Sequence, residues 1–400
     1  MRFESIWTRL LQPEERAFLA PGIPSDLNHT PDVLILGGGI IGLSIARYIS
    51  HEQSLRTVVL EQNTLASGAT SANAGGLFAG QQHASLPVSF RDLGIVSRDL
   101  YFRWSSEPWA DFKLRKTGSL SIASERLSEG MSTYAAQECS SKRNAQHLDS
   151  QTLRQLFPLL SNEITEAIHY PDDGHLNPMK TALSFARASY DSGVQLTTGV
   201  TVHSLETSRT SLQRVVTNTG DFHPGTLIVC GGWNTAQLNK DLKLSLPITP
   251  AKGQLMTTDP VPFSLQSSIS GKQVLIQLAD RRILAGGTVE HVGENYEVNS
   301  ELSHSIMQEA VRVVPCLDKI DFTQVWTGLR PCTPDERPVI DRHPFLQNVF
   351  LAAGHYKTGI LLAPITGKVI SELVLDGKTS HDISDLQLAR FRNYHSNPEN

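Results

Sequence analysis

Asp32-Val33-Leu34-Ile35-Leu36-Gly37-Gly38-Gly39-Ile40-Ile41-Gly42 is the stretch that decides the fold. Its first half is a short unbroken apolar run, the pattern of a strand buried on both faces of a parallel sheet. Its second half fits G-x-G-x-x-G. Gly37 allows a tight turn, Gly39 lets the backbone approach a pyrophosphate, and Gly42 lets the next helix pack close to the strand. That helix, opened by Ile40 and Ile41, aims unpaired N–H groups and the positive end of its dipole at a phosphate. A second apolar run, Thr57-Val58-Val59-Leu60, ends in Glu61 and Gln62, about 20 residues past the glycines, where a carboxylate can accept ribose hydroxyls. The glycines alone are a weak signal. Strand, glycines, helix, strand and acid in that order specify a Rossmann-like α/β unit for a dinucleotide.

The rest of the chain bounds what that unit belongs to. Its 400 residues suggest roughly two to three domains. With 40% hydrophobic and 19% charged residues, the composition is that of an ordinary globular protein. A net charge of −5 gives no support for a nucleic-acid partner. No apolar run approaches the ~20 residues of a membrane helix, so no integral membrane segment is expected. The first residues lack the basic stretch, apolar core and cleavage site of a secretory signal. Cys139, Cys230, Cys316 and Cys332 form no C-x-x-C, which argues against a metal site and a disulfide framework. A reducing, cytoplasmic setting is the expectation.

Residues 1–30 read as an extension: Ile6, Leu10 and Leu11 suit one face of a short helix, and Pro21, Pro24 and Pro31 suit a linker with no role beyond covering the surface. Helix-like stretches between Leu86 and Leu160 are broken by strands such as 119–123. A helix is expected over 179–190. Strands are expected over 194–230, 247–258, 274–288 and 348–353, with a closing helix over 359–375.

NAD and FAD share the first fingerprint, so the residues after Glu61 decide between them. An NAD domain usually continues with alternating βα units. Here the chain continues with Ser67-Gly68-Ala69-Thr70-Ser71-Ala72-Asn73-Ala74-Gly75-Gly76 instead, a small-residue loop whose N–H groups and hydroxyls can crowd a large ligand. Leu227-Ile228-Val229-Cys230-Gly231-Gly232-Trp233 is a buried-type strand ending in glycines that permit close approach. Val349-Phe350-Leu351-Ala352-Ala353-Gly354 leads through His355-Tyr356-Lys357-Thr358-Gly359 into a helix, opened by Ile360 and Leu361, whose N-terminus can stabilise negative charge on a reduced flavin by up to ~2 kcal/mol. These segments favour FAD.

Taken together the motifs resemble the D-amino acid oxidase family of FAD enzymes, in its glycine oxidase, sarcosine oxidase and D-amino acid dehydrogenase branches. The resemblance adds Pro250-Ala251-Lys252-Gly253-Gln254, Gly286-Gly287-Thr288 and Gly328-Leu329-Arg330-Pro331-Cys332-Thr333-Pro334-Asp335 to the segments above. It implies a discontinuous Rossmann-like FAD-binding domain (31–88, 163–243 and 322–381) and a substrate domain on a mixed sheet (89–162 and 244–321), with a tail at 382–400. It implies hydride transfer from the α-carbon of an amino acid or secondary amine to flavin N5, the imine then hydrolysing to an oxo acid. O2 or a quinone or other carrier takes the electrons. Some family members are instead non-catalytic flavoproteins that assist assembly of a partner, and this is the alternative reading.

By the same resemblance Arg330 clamps the substrate carboxylate, a task for which its planar fork is suited and lysine is not. Lys357 falls where glycine oxidase has a second arginine beside the flavin, keeping the charge and losing the fork. Tyr356 and His355 are placed against the flavin, Tyr356 and Lys357 are expected to contact substrate as well, and the backbone of Val202 is placed against adenine. Val274 replaces a carboxylate-binding tyrosine, so a hydroxyl is missing. Gly328 stands where sarcosine oxidases carry a flavin-linking cysteine, which implies non-covalent FAD. No Asp or Glu is assigned as a base, because hydride transfer needs the neutral amine and a well-aimed C–H bond.

Overall fold

Val33–Leu36 lies inside a six-stranded sheet, its four apolar residues all buried. This computed structural model describes residues 4–52, 55–81, 86–122 and 144–391. In spatial order the sheet runs Val339–Arg342, Val349–Ala353, Thr226–Val229, Val33–Leu36, Thr57–Leu60 and Gln195–Thr197. All neighbours are parallel except Val339–Arg342, which caps one edge antiparallel. Alternation explains the layers. Val33 and Ile35 pack with Leu43, Ala46, Ala182, Phe185 and Val369, from helices Ile40–Glu52, Pro178–Asp191 and Gly359–Leu375. Leu34 and Leu36 face the other way, onto Leu205, Val215 and Phe222 of a three-stranded antiparallel sheet. Each such side chain contributes about 1.5–3 kcal/mol by leaving water.

The chain's path creates the cleft. From Val33–Leu36 it moves outward through Thr57–Leu60 to Gln195–Thr197, then returns to lay Thr226–Val229 on the opposite side. The loops leaving Leu36 and Val229 therefore diverge, and a crevice opens at the carboxyl ends of these strands.

A second, eight-stranded sheet runs Phe322–Cys332, Thr249–Thr258, Ile283–Gly286, Val274–Gln277, Ser268–Ser270, Ser119–Ile122, Ala167–Tyr170 and Gln146–Leu148. It is mixed, with Ser268–Ser270 and Ser119–Ile122 parallel and the other pairs antiparallel. Helix Ser300–Val313 covers one face through Ile306, Ala310 and Val313. Two strands that the sequence reading grouped with the FAD-binding pieces, Phe322–Cys332 and Ala167–Tyr170, are hydrogen-bonded into this sheet. The long pairing of Thr249–Thr258 with Phe322–Cys332, from Thr249↔Cys332 to Thr258↔Phe322, is the reason for the first. The strand expected over 274–288 is a hairpin that turns at Arg281 (φ 70°), in a stretch without Gly or Asn to signal it. The end of the expected strand at Ala123, Cys139 and part of the tail, 392–400, lie outside the described residues.

The N-terminal extension does more than cover the surface. Ile6, Trp7, Leu11 and Leu19 are part of the main core, while Leu10 is 41% exposed. Helix Pro13–Phe18 is fixed by a capping box between Gln12 and Glu15. The Glu15 carboxylate also takes Lys180 at 2.5 Å, and the Trp7 indole N–H donates to the Asn73 carbonyl at 2.7 Å. The extension thus braces the loop after Glu61.

Candidate active site

At one end of the cleft the glycines behave as three different objects. A Cβ on Gly42 would lie 2.0 Å from the Gly37 carbonyl oxygen, so this residue sets how closely helix and strand approach. Gly37 has φ +112° and would strike the Cys230 carbonyl. A Cβ on Gly39 would meet only Thr70 Oγ1, at 3.6 Å, and otherwise enter the cleft. Gly38, the variable position of the motif, also has a reason to be glycine: a Cβ would lie 2.5 Å from Leu65 and 2.9 Å from Glu61. Glu61 is held by two backbone donors, Gly38 N–H to Oε2 and Asn63 N–H to Oε1, each at 2.8 Å. Burial pushes its carboxyl up, and these N–H groups oppose the shift. Each oxygen keeps a second lone pair for a ribose hydroxyl. Thr70 Oγ1 accepts the Ile40 N–H at 3.1 Å, which ties the loop to the fingerprint helix.

The cleft, about 1070 Å³ with its open mouth, continues along Ser67, Gly68 and Asn73 on one wall and Gly231, Gly232 and Trp233 on the other. It reaches Gly354, His355, Tyr356, Gly359 and Ile360 at the far end. His355 is buried, its Nε2 lies 3.0 Å from Thr366 Oγ1, and burial pulls its pKa down to about 3. It is therefore a neutral, packed ring. Tyr356 occupies the left-handed region at φ 46°, uncommon for a bulky residue. Its N–H bond to the Pro331 carbonyl, at 2.9 Å, holds it there.

Three observations show that these residues suit FAD. Open space faces Gly39 where a pyrophosphate would lie. Asn234 Oδ1, on the cleft wall, is buried without a hydrogen-bond partner among the described residues. Helix Gly359–Leu375 opens on the cleft with no side-chain cap at Thr358, which leaves first-turn N–H groups for a ligand.

Arg330 stands beside the cleft, between Leu329 and Pro331 on its wall. Surrounding protein pulls its pKa down, yet the residue keeps accessible surface. Arginine stays charged in such a setting. Nη1 donates to the Thr288 carbonyl at 2.7 Å, and no carboxylate among the described residues pairs with the guanidinium. Strand pairing explains its room: the guanidinium lies across Gly253, where a Cβ would come within 2.1 Å of Nη1. Lys252 and Gln254, on the other face of the same strand, hold the overlying loop. Lys252 Nζ reaches Glu290 Oε1 and the Glu297 carbonyl, each at 3.1 Å. The Gln254 amide bonds the backbone of Asn299 in both directions.

Other expected residues lie elsewhere. Lys357 is exposed, with Nζ 4.7 Å from the centre of the Tyr356 ring, and is not on the cleft wall. Gln62 is exposed and Leu361 is in the core. Ala74 is half-buried against the core, and Gly75 and Gly76 pack on Leu176 and Phe78. Val202 is in the three-stranded sheet, and neither it nor Gly42 touches the cleft. Val274 offers only methyl groups, one 3.9 Å from the Cβ position of Gly287. The sequence reading missed Asn63, Asn234 and Tyr296, all on the wall. Asn63 and Asn234 were findable as polar residues next to Glu61 and to the double glycine. Tyr296 lies in a long loop with no local signal.

Comparison with known proteins places this geometry. A family model described as FAD dependent oxidoreductase (DAO) matches residues 32–373. The chain is 32% identical over 371 residues to the bifunctional protein ThiO/ThiG of Synechocystis sp., a match covering 91% of this chain and 55% of that protein, so it spans about half of that relative's length. It is 28% identical over 407 residues to hydrogen cyanide synthase subunit HcnC of Pseudomonas aeruginosa, with 92% and 97% covered. The crystal structure of glycine oxidase from Geobacillus kaustophilus superposes with a TM-score of 0.85 at 26% identity, covering 91% of this chain and 99% of that one. The chain belongs to the DAO family of FAD-dependent oxidoreductases, and its mixed α/β architecture is that family's FAD-binding fold.

Proposed function

We propose that the protein oxidises the C–N bond of a small amino acid or secondary amine, of the glycine, sarcosine or D-amino acid type. The observation that carries this reading is Arg330: a half-buried cation with no carboxylate partner among the described residues, set beside the cleft and given room by Gly253. A cation drawn partly out of water without a counter-charge suits an anionic ligand that completes it. The Thr288 carbonyl fixes one arm of the fork and leaves the rest to grip a carboxylate. The likeness to glycine oxidase supports a small amino acid.

FAD, held non-covalently in the cleft, supplies a hydride acceptor at N5. The chain's own part is to bind, orient and exclude water. Arg330 fixes the carboxylate, and Tyr356 and Tyr296 wall the space next to it. Among the described residues of that wall the sole carboxylate is Glu61, at the ribose end, and His355 is held neutral against Thr366. With no base at hand the amine has to arrive unprotonated, and positioning supplies most of the rate. The imine product leaves to be hydrolysed to an oxo acid.

Anaerobic exposure of the yellow protein to glycine, sarcosine, proline and D-amino acids tests the reading. One of them is expected to bleach the flavin, and reoxidation by O2 or by a quinone then separates oxidase from dehydrogenase. Val274, which lacks a hydroxyl, and exposed Lys357 favour the second reading, a non-catalytic FAD-binding assembly factor. A flavin that none of these compounds reduces, with Arg330→Ala leaving cellular function intact, supports that instead.

A further inference from the structure

Helix Gly359–Leu375 carries a proline, Pro364, one turn from the end that opens on the cleft. Proline has no N–H, so the Ile360 carbonyl loses the donor an uninterrupted helix would give it. The Tyr101 hydroxyl replaces that donor, bonding the Ile360 oxygen at 2.8 Å. One turn earlier on the same helix, Val88–Trp104, Ser97 Oγ accepts the Ile365 N–H at 3.1 Å. From the fingerprint helix, Ser44 Oγ donates to the Ala363 carbonyl at 2.7 Å. Tyr101 and Ser97 are completely buried. Tyr101 is wedged edge-on to Phe112 and beside Phe185, so its hydroxyl cannot swing elsewhere. Burial also pushes its pKa well above the ordinary phenol value, which keeps it a donor.

The Tyr101 hydroxyl thus stands in for the missing rung of the helix's own ladder next to the cleft, and Ser97 and Ser44 bind the turn that follows. We propose that Tyr101 is a positioning residue that, through the Ile360 carbonyl, aims the first turn of helix Gly359–Leu375 at the flavin and so sets how readily the flavin accepts electrons. The proposal rests on the reading that the cleft holds FAD with its ring system at this turn. N–H groups of Gly359 and Ile360 that point at the flavin stabilise its reduced, anionic form, and the effect falls off within one turn. A small tilt of that turn weakens it.

The test compares Tyr101→Phe, Pro364→Ala and the double variant as FAD-loaded proteins, reading the flavin's reduction equilibrium against a reference dye. Tyr101→Phe keeps the packing against Phe112 and Phe185 and removes only the donor. It is expected to stay yellow while its equilibrium shifts about tenfold toward the oxidised form, about 30 mV for a two-electron couple. Pro364→Ala returns an N–H to the Ile360 carbonyl. In that background the tyrosine change is expected to shift the equilibrium less than about twofold, a rescue that a general packing role of Tyr101 does not give. An unchanged equilibrium in Tyr101→Phe, or an equal shift with and without Pro364, overturns the proposal. Should Tyr101→Phe fail to fold, the double variant decides: a folded, yellow protein supports the proposal and an unfolded one overturns it. A wild-type protein that binds no FAD defeats the cofactor reading itself, an outcome distinct from all of these.

Discussion

The two ends of the cleft are built on different principles. At the fingerprint end, contacts that shape the site stay within one strand–helix–strand unit and the loop that follows it: Gly42 against Gly37, Gly38 against Glu61, Ile40 against Thr70. At the Arg330 end they cross long stretches of chain, as in Arg330 to Thr288, Lys252 to Glu290 and Trp326 Nε1–H to the Ala72 carbonyl at 3.3 Å. The cofactor end therefore tolerates little change in single residues. The Arg330 end depends on how two strands and a loop are registered. On the proposed function, a shift in the loop held by Lys252 and Gln254 alters the substrate pocket and leaves the glycines untouched.

The largest effect expected at the cofactor end is from Gly39→Val. Its side chain would enter the space facing the pyrophosphate, with FAD content of the purified protein falling about tenfold or more, at least ~1.4 kcal/mol. A variant that purifies as yellow as wild type removes the basis of the comparison.

Acid pH tests burial through two histidines, one on the cleft wall and one away from it. Burial holds His355, on the cleft wall, at about 3 and His175, beside the eight-stranded sheet, at about 4, against 6.5 unperturbed. The unfolded chain takes up both protons below pH 6.5 while the native one does not, so stability falls as pH drops. Asp173, pushed up to about 6 by burial, works the other way between 3.8 and 6, where the native state binds the extra proton. His355 by itself is expected to lower the unfolding free energy by roughly 1.4 kcal/mol per unit between pH 6 and 4. Urea unfolding at several pH values measures the slope, which His355→Gln should reduce by about that amount. An undiminished slope in that variant contradicts the assignment.

Trp7→Phe removes the donor to Asn73 and leaves the ring. A loss of about 1 kcal/mol corresponds to roughly fivefold weaker FAD binding, readable by flavin fluorescence on dilution. Unaltered affinity makes the N-terminal brace irrelevant to the cofactor. The smallest effect is expected from Lys357→Ala: an exposed ammonium resting on Tyr356 should change the substrate requirement less than about twofold. A larger change would place Lys357 in the pocket and blur the contrast with Arg330.

The sequence was legible where a single residue's geometry dictates its identity. Gly37, Gly39 and Gly42 announce a turn, an approach and a packing contact, and Glu61 comes at a fixed distance after them. The closing segment was legible too, as an apolar strand running into Gly354 and a helix. Pairing was not, because nothing local in Phe322–Cys332 says which sheet will accept its hydrogen bonds. Trp7 was overlooked since a lone tryptophan in a short helix gives no periodicity. Lys357 was expected at the flavin because it falls where glycine oxidase has an arginine, whereas the left-handed backbone of the preceding Tyr356 turns tyrosine to the cleft and leaves lysine exposed.

Whether Arg330 holds the substrate is decided most directly by anaerobic titration of the flavin in wild type and Arg330→Ala, with the amino acid that bleaches the wild type. Loss of a charge-assisted contact of ~1.5–3 kcal/mol is expected to leave FAD bound and raise the half-bleaching concentration about tenfold to a hundredfold. Equal half-bleaching concentrations in the two proteins would contradict the account.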